Sequence, residues 1–391
     1  MRKLLILALM LPCIIAFAQT RQLSDRATLS LITCGPTQTE LYSAFGHSAF
    51  RVQDPLRGID EVYNYGIFDF NQPHFYLNFA RGFLYYQLGV YNYTDFRDYY
   101  VYYNRFVHEQ VLNLSQEQLQ DVYDYLQNNA LPEHKNYVYD YFYNNCATKL
   151  RDVLIDVLKD SINFDGSYIS THYTIRELTD LYLKQQQWGD LGIDICLGLP
   201  MDKKATPFEY MFLPDYLESG FDHATIQKNG VTEALVRDKI IVYEGRAQDV
   251  EQSLFQPLYV FGAFAVLTII LSIMDLVRKK ISTWFDCILF GVTGLLGLLL
   301  ITLWLATDHK AAANNFNILW ALPTNLIAVF AFIKQPRWLQ HYFLATATIS
   351  FLMIVFWFEL PQKIHYALMP LVIAIAVRSF VEYRIRRGAS A

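Results

Sequence analysis

Hydrophobic positions divide this chain into two unlike parts. Up to about residue 255, apolar residues recur at short spacings among polar ones; beyond Pro257 they come in long runs. In the first part, Ala27–Thr33 alternates apolar and polar residues and predicts a strand. His47–Val52 predicts a second strand. Asp54-Pro55 and Arg57-Gly58 supply turn chemistry, and Glu61–Phe70 predicts a partner strand. Ser115–Asn128 predicts a helix that opens on Ser115-Gln116-Glu117-Gln118, close to a capping pattern. Cys146–Asp160 sets Leu150, Val153, Leu154, Val157 and Leu158 on one face, so it predicts an amphipathic helix packed on a core, with Asn144 or Asn145 as its N-cap. Strands and helices in one block predict an α+β domain over 19–255.

Five apolar runs follow, near 257–277, 284–306, 316–333, 342–358 and 364–383. Each approaches the roughly 20 residues a helix needs to cross a bilayer, so 256–391 predicts an all-α, five-span transmembrane domain. Pro323-Thr324-Asn325 interrupts the third run, either to line a cavity or as a packing kink. Basic residues alternate between loops. Arg278, Lys279 and Lys280 follow the first run, Lys334 and Arg337 the third, and Arg384, Arg386 and Arg387 the fifth. The opposite loops carry only Lys310 and Lys363, which puts the C-terminus in the cytoplasm and the first block outside the inner membrane. The N-terminus agrees. Arg2 and Lys3 precede an apolar stretch, Leu4–Ile15, and the small-residue pattern Ala16-Phe17-Ala18, as in a cleaved signal peptide over 1–18.

Composition adds two exclusions. The 391 residues carry a net charge of −5, which argues against a nucleic-acid partner. No close C-x-x-C or H-x-x-x-H spacing is present, so neither a metal nor another cofactor is expected. Of the cysteines beyond the leader, Cys287 falls in an apolar run, and Cys34, Cys146 and Cys196 remain in the exported block. Three such cysteines form at most one disulfide, with Cys34–Cys196 the pairing to test, and leave one thiol over.

Cys146 is the residue with the most chemistry. A helix N-terminus stabilises a thiolate through its free N–H groups, and the thiolate rather than the thiol attacks carbonyls. His47 can act as general base and later as general acid. Asn64 is the first candidate to orient that histidine, with Asp69 and Tyr65 as alternatives. Arg51 and Arg151 are either structural or meet a phosphate or carboxylate; Tyr65, Asn145 and Arg51 are the candidate substrate contacts. The competing reading of Cys146 is a buried structural cysteine. The 28 Tyr and 28 Phe suit a bilayer boundary or an acyl-chain groove as well as plain packing.

Three stretches carry a resemblance: Gly46-His47-Ser48-Ala49-Phe50-Arg51-Val52, then Tyr63-Asn64-Tyr65-Gly66-Ile67-Phe68-Asp69-Phe70, then Asn145-Cys146-Ala147-Thr148 with Arg151-Asp152. Together they resemble the periplasmic domain of Lnb, the lipoprotein N-acyltransferase of the Bacteroides group. Histidine before cysteine is similar to the circularly permuted, NlpC-type papain-like folds. The resemblance implies a permuted papain-like domain with a catalytic Cys146 and His47. It also implies transfer of an acyl chain from a membrane phospholipid or other acyl lipid, through a Cys146 thioester, to the α-amino group of a diacylated lipoprotein. The rival expectations are a membrane-anchored periplasmic cysteine hydrolase, either peptidase or lipase, and a non-enzymatic membrane scaffold.

Overall fold

The alternating stretches expose backbone donors and acceptors that a neighbouring strand satisfies. A computed structural model describes residues 21–246 and 253–390; the signal-peptide expectation at 1–18 lies outside the described residues. The strands are β1 (Thr28–Cys34), β2 (His47–Asp54), β3 (Ile59–Ile67), β4 (Tyr85–Asn92), β5 (Val107–Leu112), β6 (Asn136–Val138), β7 (Ile162–Asn163), β8 (Thr225–Lys228), β9 (Val231–Ala234) and β10 (Val236–Tyr243). Seven form one antiparallel sheet in the order β10-β5-β1-β2-β3-β4-β6, and β7-β8-β9 form a small second sheet. The helices of this part are α1 (Phe75–Arg81), α2 (Tyr93–Tyr102), α3 (Gln116–Asn129), α4 (Cys146–Leu158), α5 (Ile175–Leu183), α6 (Gln187–Cys196), α7 (Pro207–Tyr210) and α8 (Pro214–His223).

Alternation gives the main sheet two apolar faces. Leu29, Leu31, Phe50, Val52 and Tyr63 pack with Val122 and Leu126 of α3 and with Leu150 and Leu154 of α4. On the other face Ile32, Cys34, Ala49 and Val62 pack with Tyr93, Phe96 and Tyr100 of α2. Two elements end earlier than the sequence expectation. β3 ends at Ile67 rather than Phe70, because Gly66 turns the chain at φ +91° and the β3–β4 ladder skips between Asn64 and Ile67. α4 ends at Leu158 rather than Asp160, because Lys159 takes a positive φ of 48° and starts a 3-10 turn.

The second part holds α9 (Pro257–Arg278), α10 (Thr283–Leu305), α11 (Asn325–Ala331), α12 (Trp338–Val355) and α13 (Met369–Ser390). Among the described residues, four helices are long and apolar enough to cross a membrane: 257–278, 283–305, 338–355 and 366–388. The run 316–333 is not a fifth continuous helix. It is a 3-10 turn at Phe316–Leu319, a break at Pro323, and the seven residues of α11. The broken backbone lies directly on α10, where a Cβ at Gly297 would collide with the Ala321 carbonyl oxygen. Buried Asn325 donates to Thr293 Oγ1 (3.0 Å) and accepts from the Tyr342 hydroxyl (2.7 Å), so the polar groups of the break seal a packing kink. Arg378 of α13 pairs with Asp275 of α9 and Asp286 of α10, which keeps buried charges matched within the bundle.

The two parts are bolted together, and this fixes where the site sits. Buried Arg176 on α5 pairs with Asp194 (2.8 Å) and Asp202 (3.0 Å) and donates to the Leu197 and Gly198 carbonyls, which shapes the segment after α6. That segment meets the bundle loops. Gly198 N–H donates to Ala311 O (2.7 Å), Asn315 Nδ2 to Ile195 O (2.8 Å), and Gln362 Nε2 to Leu197 O (3.0 Å). Lys363–Asp180 (2.9 Å) and His365–Asp190 (3.2 Å) flank these bonds.

Candidate active site

Asn145 builds the site locally. Its Oδ1 accepts from the N–H groups of Ala147 and Thr148 (both 2.9 Å), and Thr148 Oγ1 accepts from the Asn145 N–H (2.8 Å), a complete capping box. A cap of this kind contributes about 1 kcal/mol. Asn145 Nδ2 donates to the carbonyls of Tyr141 and Phe212 (both 2.8 Å), so the side chain is buried and fully engaged. It anchors the helix start and has no polar atom left for a substrate. Asn144, the other cap candidate, instead donates to Val138 O (2.6 Å).

The cap makes Cys146 the first residue of α4, where an α-helix leaves the N–H without an intrahelical partner. Gly46 at φ +81° turns the chain into β2, so that His47 is its first residue. Cys146 and His47 are both half-buried and lie close enough for each to shift the titration of the other. Gly66 clears the space: a Cβ there would lie 3.4 Å from Cys146 Cβ and 3.5 Å from the Tyr139 ring.

His47 Nε2 lies 2.6 Å from Asn64 Oδ1. An amide oxygen only accepts, so Nε2 carries the proton and Nδ1 is left for the thiol. The register explains the meeting. Phe50 pairs with Tyr63 and Arg51 with Val62, so His47 and Asn64 fall on the same face of the sheet. Tyr100 of α2 stacks on the imidazole, with ring centroids 6.2 Å apart.

Burial alone pushes the Cys146 thiol up, but the charge of His47, its hydrogen bond, and the N–H groups of Ser48 and Ala147 outweigh it and hold the thiol below its ordinary pKa. Burial likewise pushes His47 down, but the charge and hydrogen bond of Cys146, with help from Asn64, raise it above its ordinary value. The opposite shifts favour a thiolate–imidazolium pair. Such a pair can attack an ester carbonyl, with the free Cys146 N–H available to the developing oxyanion.

The other candidates lie elsewhere. Arg51 is four residues along β2, with Nε and Nη2 on Asp60 (2.7 and 2.9 Å), Nη1 on Glu109 (3.0 Å), and its guanidinium over the Tyr93 ring (3.4 Å). It ties β2 to β3 and β5 and is not brought to the thiol. Tyr65 is on the opposite face from Asn64, buried, with its hydroxyl accepting from Asn129 Nδ2 (3.3 Å). Asp69 accepts from the Asn71 N–H (2.8 Å) in an exposed turn. Arg151 donates to Asp152 (2.8 Å) and Phe208 O (2.8 Å) and is structural. Cys34 and Cys196 are free thiols, not a disulfide. Cys34 lies on β1 opposite His47, and burial raises its pKa and that of Cys196. Tyr100 and Gly66 escaped sequence reasoning: one lay within an aromatic run, the other inside a presumed continuous strand.

Residues 17–180 match the family model of the Lnb N-terminal periplasmic domain, and residues 249–388 match that of the Lnb transmembrane domain. The chain belongs to the Lnb family. It is an inner-membrane protein with a periplasmic N-terminal domain, and the paired Lnb domains make it a membrane-anchored enzyme. No curated protein and no solved structure matches it. Cys146, His47 and Asn64 all lie within the matched Lnb periplasmic domain.

Asn64 touches His47, the contact expected of a positioning residue. Asn64→Ala is expected to lower kcat by about 10- to 100-fold, the cost of a misplaced catalytic group, with KM nearly unchanged. Steady-state kinetics on an ester substrate check this; a change confined to KM would instead place Asn64 on the substrate.

Proposed function

We propose that this Lnb protein is a lipoprotein N-acyltransferase working by a Cys146 thioester. The observation that carries the reading is Cys146 at a capped helix start beside the Asn64-held His47, on a domain bolted to the loops of a membrane bundle. A soluble-substrate hydrolase has no need of that attachment. Both proposed substrates, a phospholipid or related acyl lipid and a diacylated lipoprotein, reside in the outer leaflet beside the domain. The proposed topology crosses the membrane five times, the third crossing being the broken 316–333 segment, and leaves the C-terminus in the cytoplasm, as the basic loops require.

In the first half-reaction the Cys146 thiolate attacks the ester carbonyl carbon. The tetrahedral intermediate collapses as His47 gives its proton to the departing alcohol oxygen, leaving a thioester. In the second, the neutral α-amine of the lipoprotein attacks the thioester carbonyl. His47 accepts the ammonium proton, the C–S bond breaks, and the thiolate is restored with an amide as product. Every proton moves through one imidazole, which Asn64 and Tyr100 hold in place.

The test uses purified full-length protein, phospholipid vesicles and a synthetic diacylglyceryl-cysteine peptide. A fatty-acyl adduct on Cys146 and a triacylated peptide are expected by mass spectrometry. Free fatty acid with no N-acylated peptide would assign the hydrolase reading instead.

A further inference from the structure

Between Gly66, beside the thiol, and β4 the chain leaves the sheet and makes α1, a short helix with no buried residue. Phe70, Tyr76, Leu77 and Phe79 in this segment are all exposed, Tyr76 at 76% of its surface. Exposed large apolar side chains grouped on one short segment mark an interaction surface.

Two observations say what covers it. The segment is fastened to the loop that follows α10 in the bundle: Asp308 N–H donates to Arg81 O (2.8 Å), and His309 Nε2 lies 3.1 Å from Phe79 O. Gly82 packs so closely there that a Cβ would lie 2.9 Å from the backbone of Asp308. The apolar residues are therefore held at the outer rim of the membrane-spanning helices, at the height where amphipathic rings meet a bilayer. The second observation is a continuous row of rings from that rim to the thiol. Phe79 meets Phe75 (6.2 Å), Phe75 meets Phe68 (6.5 Å), Phe68 meets Tyr86 (5.3 Å), and Tyr86 stacks on Tyr139 (4.3 Å). Tyr139 lines the Gly66 gap beside Cys146.

We propose that residues 68–83 form a lip that dips into the outer leaflet and draws a phospholipid acyl chain along this aromatic row to Cys146. The donor then never passes through water, which spares the cost of exposing its chain. The exposed cation of Arg81, beside the apolar face, lies where a lipid phosphate would meet it. The lip rests on the acyl-transfer reading only for the fate of the chain at Cys146; its contact with lipid stands separately.

The test compares full-length wild type with the double variant Tyr76→Asn/Leu77→Asn, which alters exposed side chains outside the row. Phospholipid in vesicles is expected to acylate Cys146 about tenfold more slowly in the variant, since interfacial binding scales with apolar area. The burst with water-soluble p-nitrophenyl butyrate stays at the wild-type level. Equal phospholipid rates in both proteins would overturn the lip. If neither ester modifies Cys146 in wild type, the acyl-transfer reading fails, and photocrosslinking then decides the lip. Benzoylphenylalanine in place of Tyr76 is expected to capture phospholipid in bilayer nanodiscs; capture of protein segments alone would overturn the proposal.

Discussion

Cys146→Ala is expected to end acyl transfer: no fatty-acyl adduct forms on the protein, and N-acylation of a diacylated lipopeptide falls by at least about 10⁴-fold, the scale on which removal of a nucleophile acts. Neither the Asn145 cap nor the capping box uses the Cys146 side chain, so α4 keeps its start and the variant keeps its fold. Unchanged expression and an unchanged Tm therefore accompany the lost activity. The measurement is intact-protein mass spectrometry after exposure to phospholipid, alongside the lipopeptide assay. An adduct of normal yield in the variant would place the acyl group elsewhere, and full N-acylation would return Cys146 to a structural role.

His47→Ala carries the second-largest effect, and it reads out in two ways. Loss of a general acid–base group lowers acyl transfer by about 10²- to 10⁴-fold. It also changes the thiol itself. In the proposed mechanism the acid limb of activity is expected below the ordinary thiol range, because the thiolate is lost as pH falls through the lowered pKa of Cys146. The alkaline limb is expected to follow His47: as pH rises through its raised pKa, the imidazolium loses the proton that the leaving alcohol needs. Without the imidazole, burial acts on the thiol against only the Ser48 and Ala147 N–H groups, so the midpoint for alkylation by iodoacetamide moves upward. A pH profile of alkylation that is the same in both proteins would remove His47 from the activation of Cys146.

The site was legible where its signals are local. Asn-Cys at the head of an amphipathic stretch announces a capped helix, because cap and helix interact within one turn, and Asn145 makes those bonds. The face of Asn64 was not legible. It depends on which residue of β2 lies opposite which residue of β3, and a slip of one position would have presented Tyr65 to the histidine instead. Arg51 shows the opposite failure. As a cation that could meet a phosphate or carboxylate it was a candidate contact, yet its partner Glu109 comes from a strand 58 residues away.

The membrane part divides in the same way. Hydrophobic runs and basic loops mark the spans because lipid imposes its demand on each helix separately. The broken 316–333 segment was foreshadowed by Pro323. What makes the break tolerable is the contact at Gly297 and the bonds of Asn325 to Thr293 and Tyr342, which come from other helices.

Signals local in the chain were enough for the long apolar helices, the capped helix that bears the thiol, and the strand that bears the imidazole. These follow from interactions among near neighbours and from the partition of side chains between water and apolar surroundings. The folded arrangement was needed to show which third residue meets His47, that Arg51 and Tyr65 are occupied elsewhere, and that an aromatic row joins the thiol to the rim of the bundle. Those depend on strand register and on the docking of two domains, where the partners are far apart in the chain and chosen by packing.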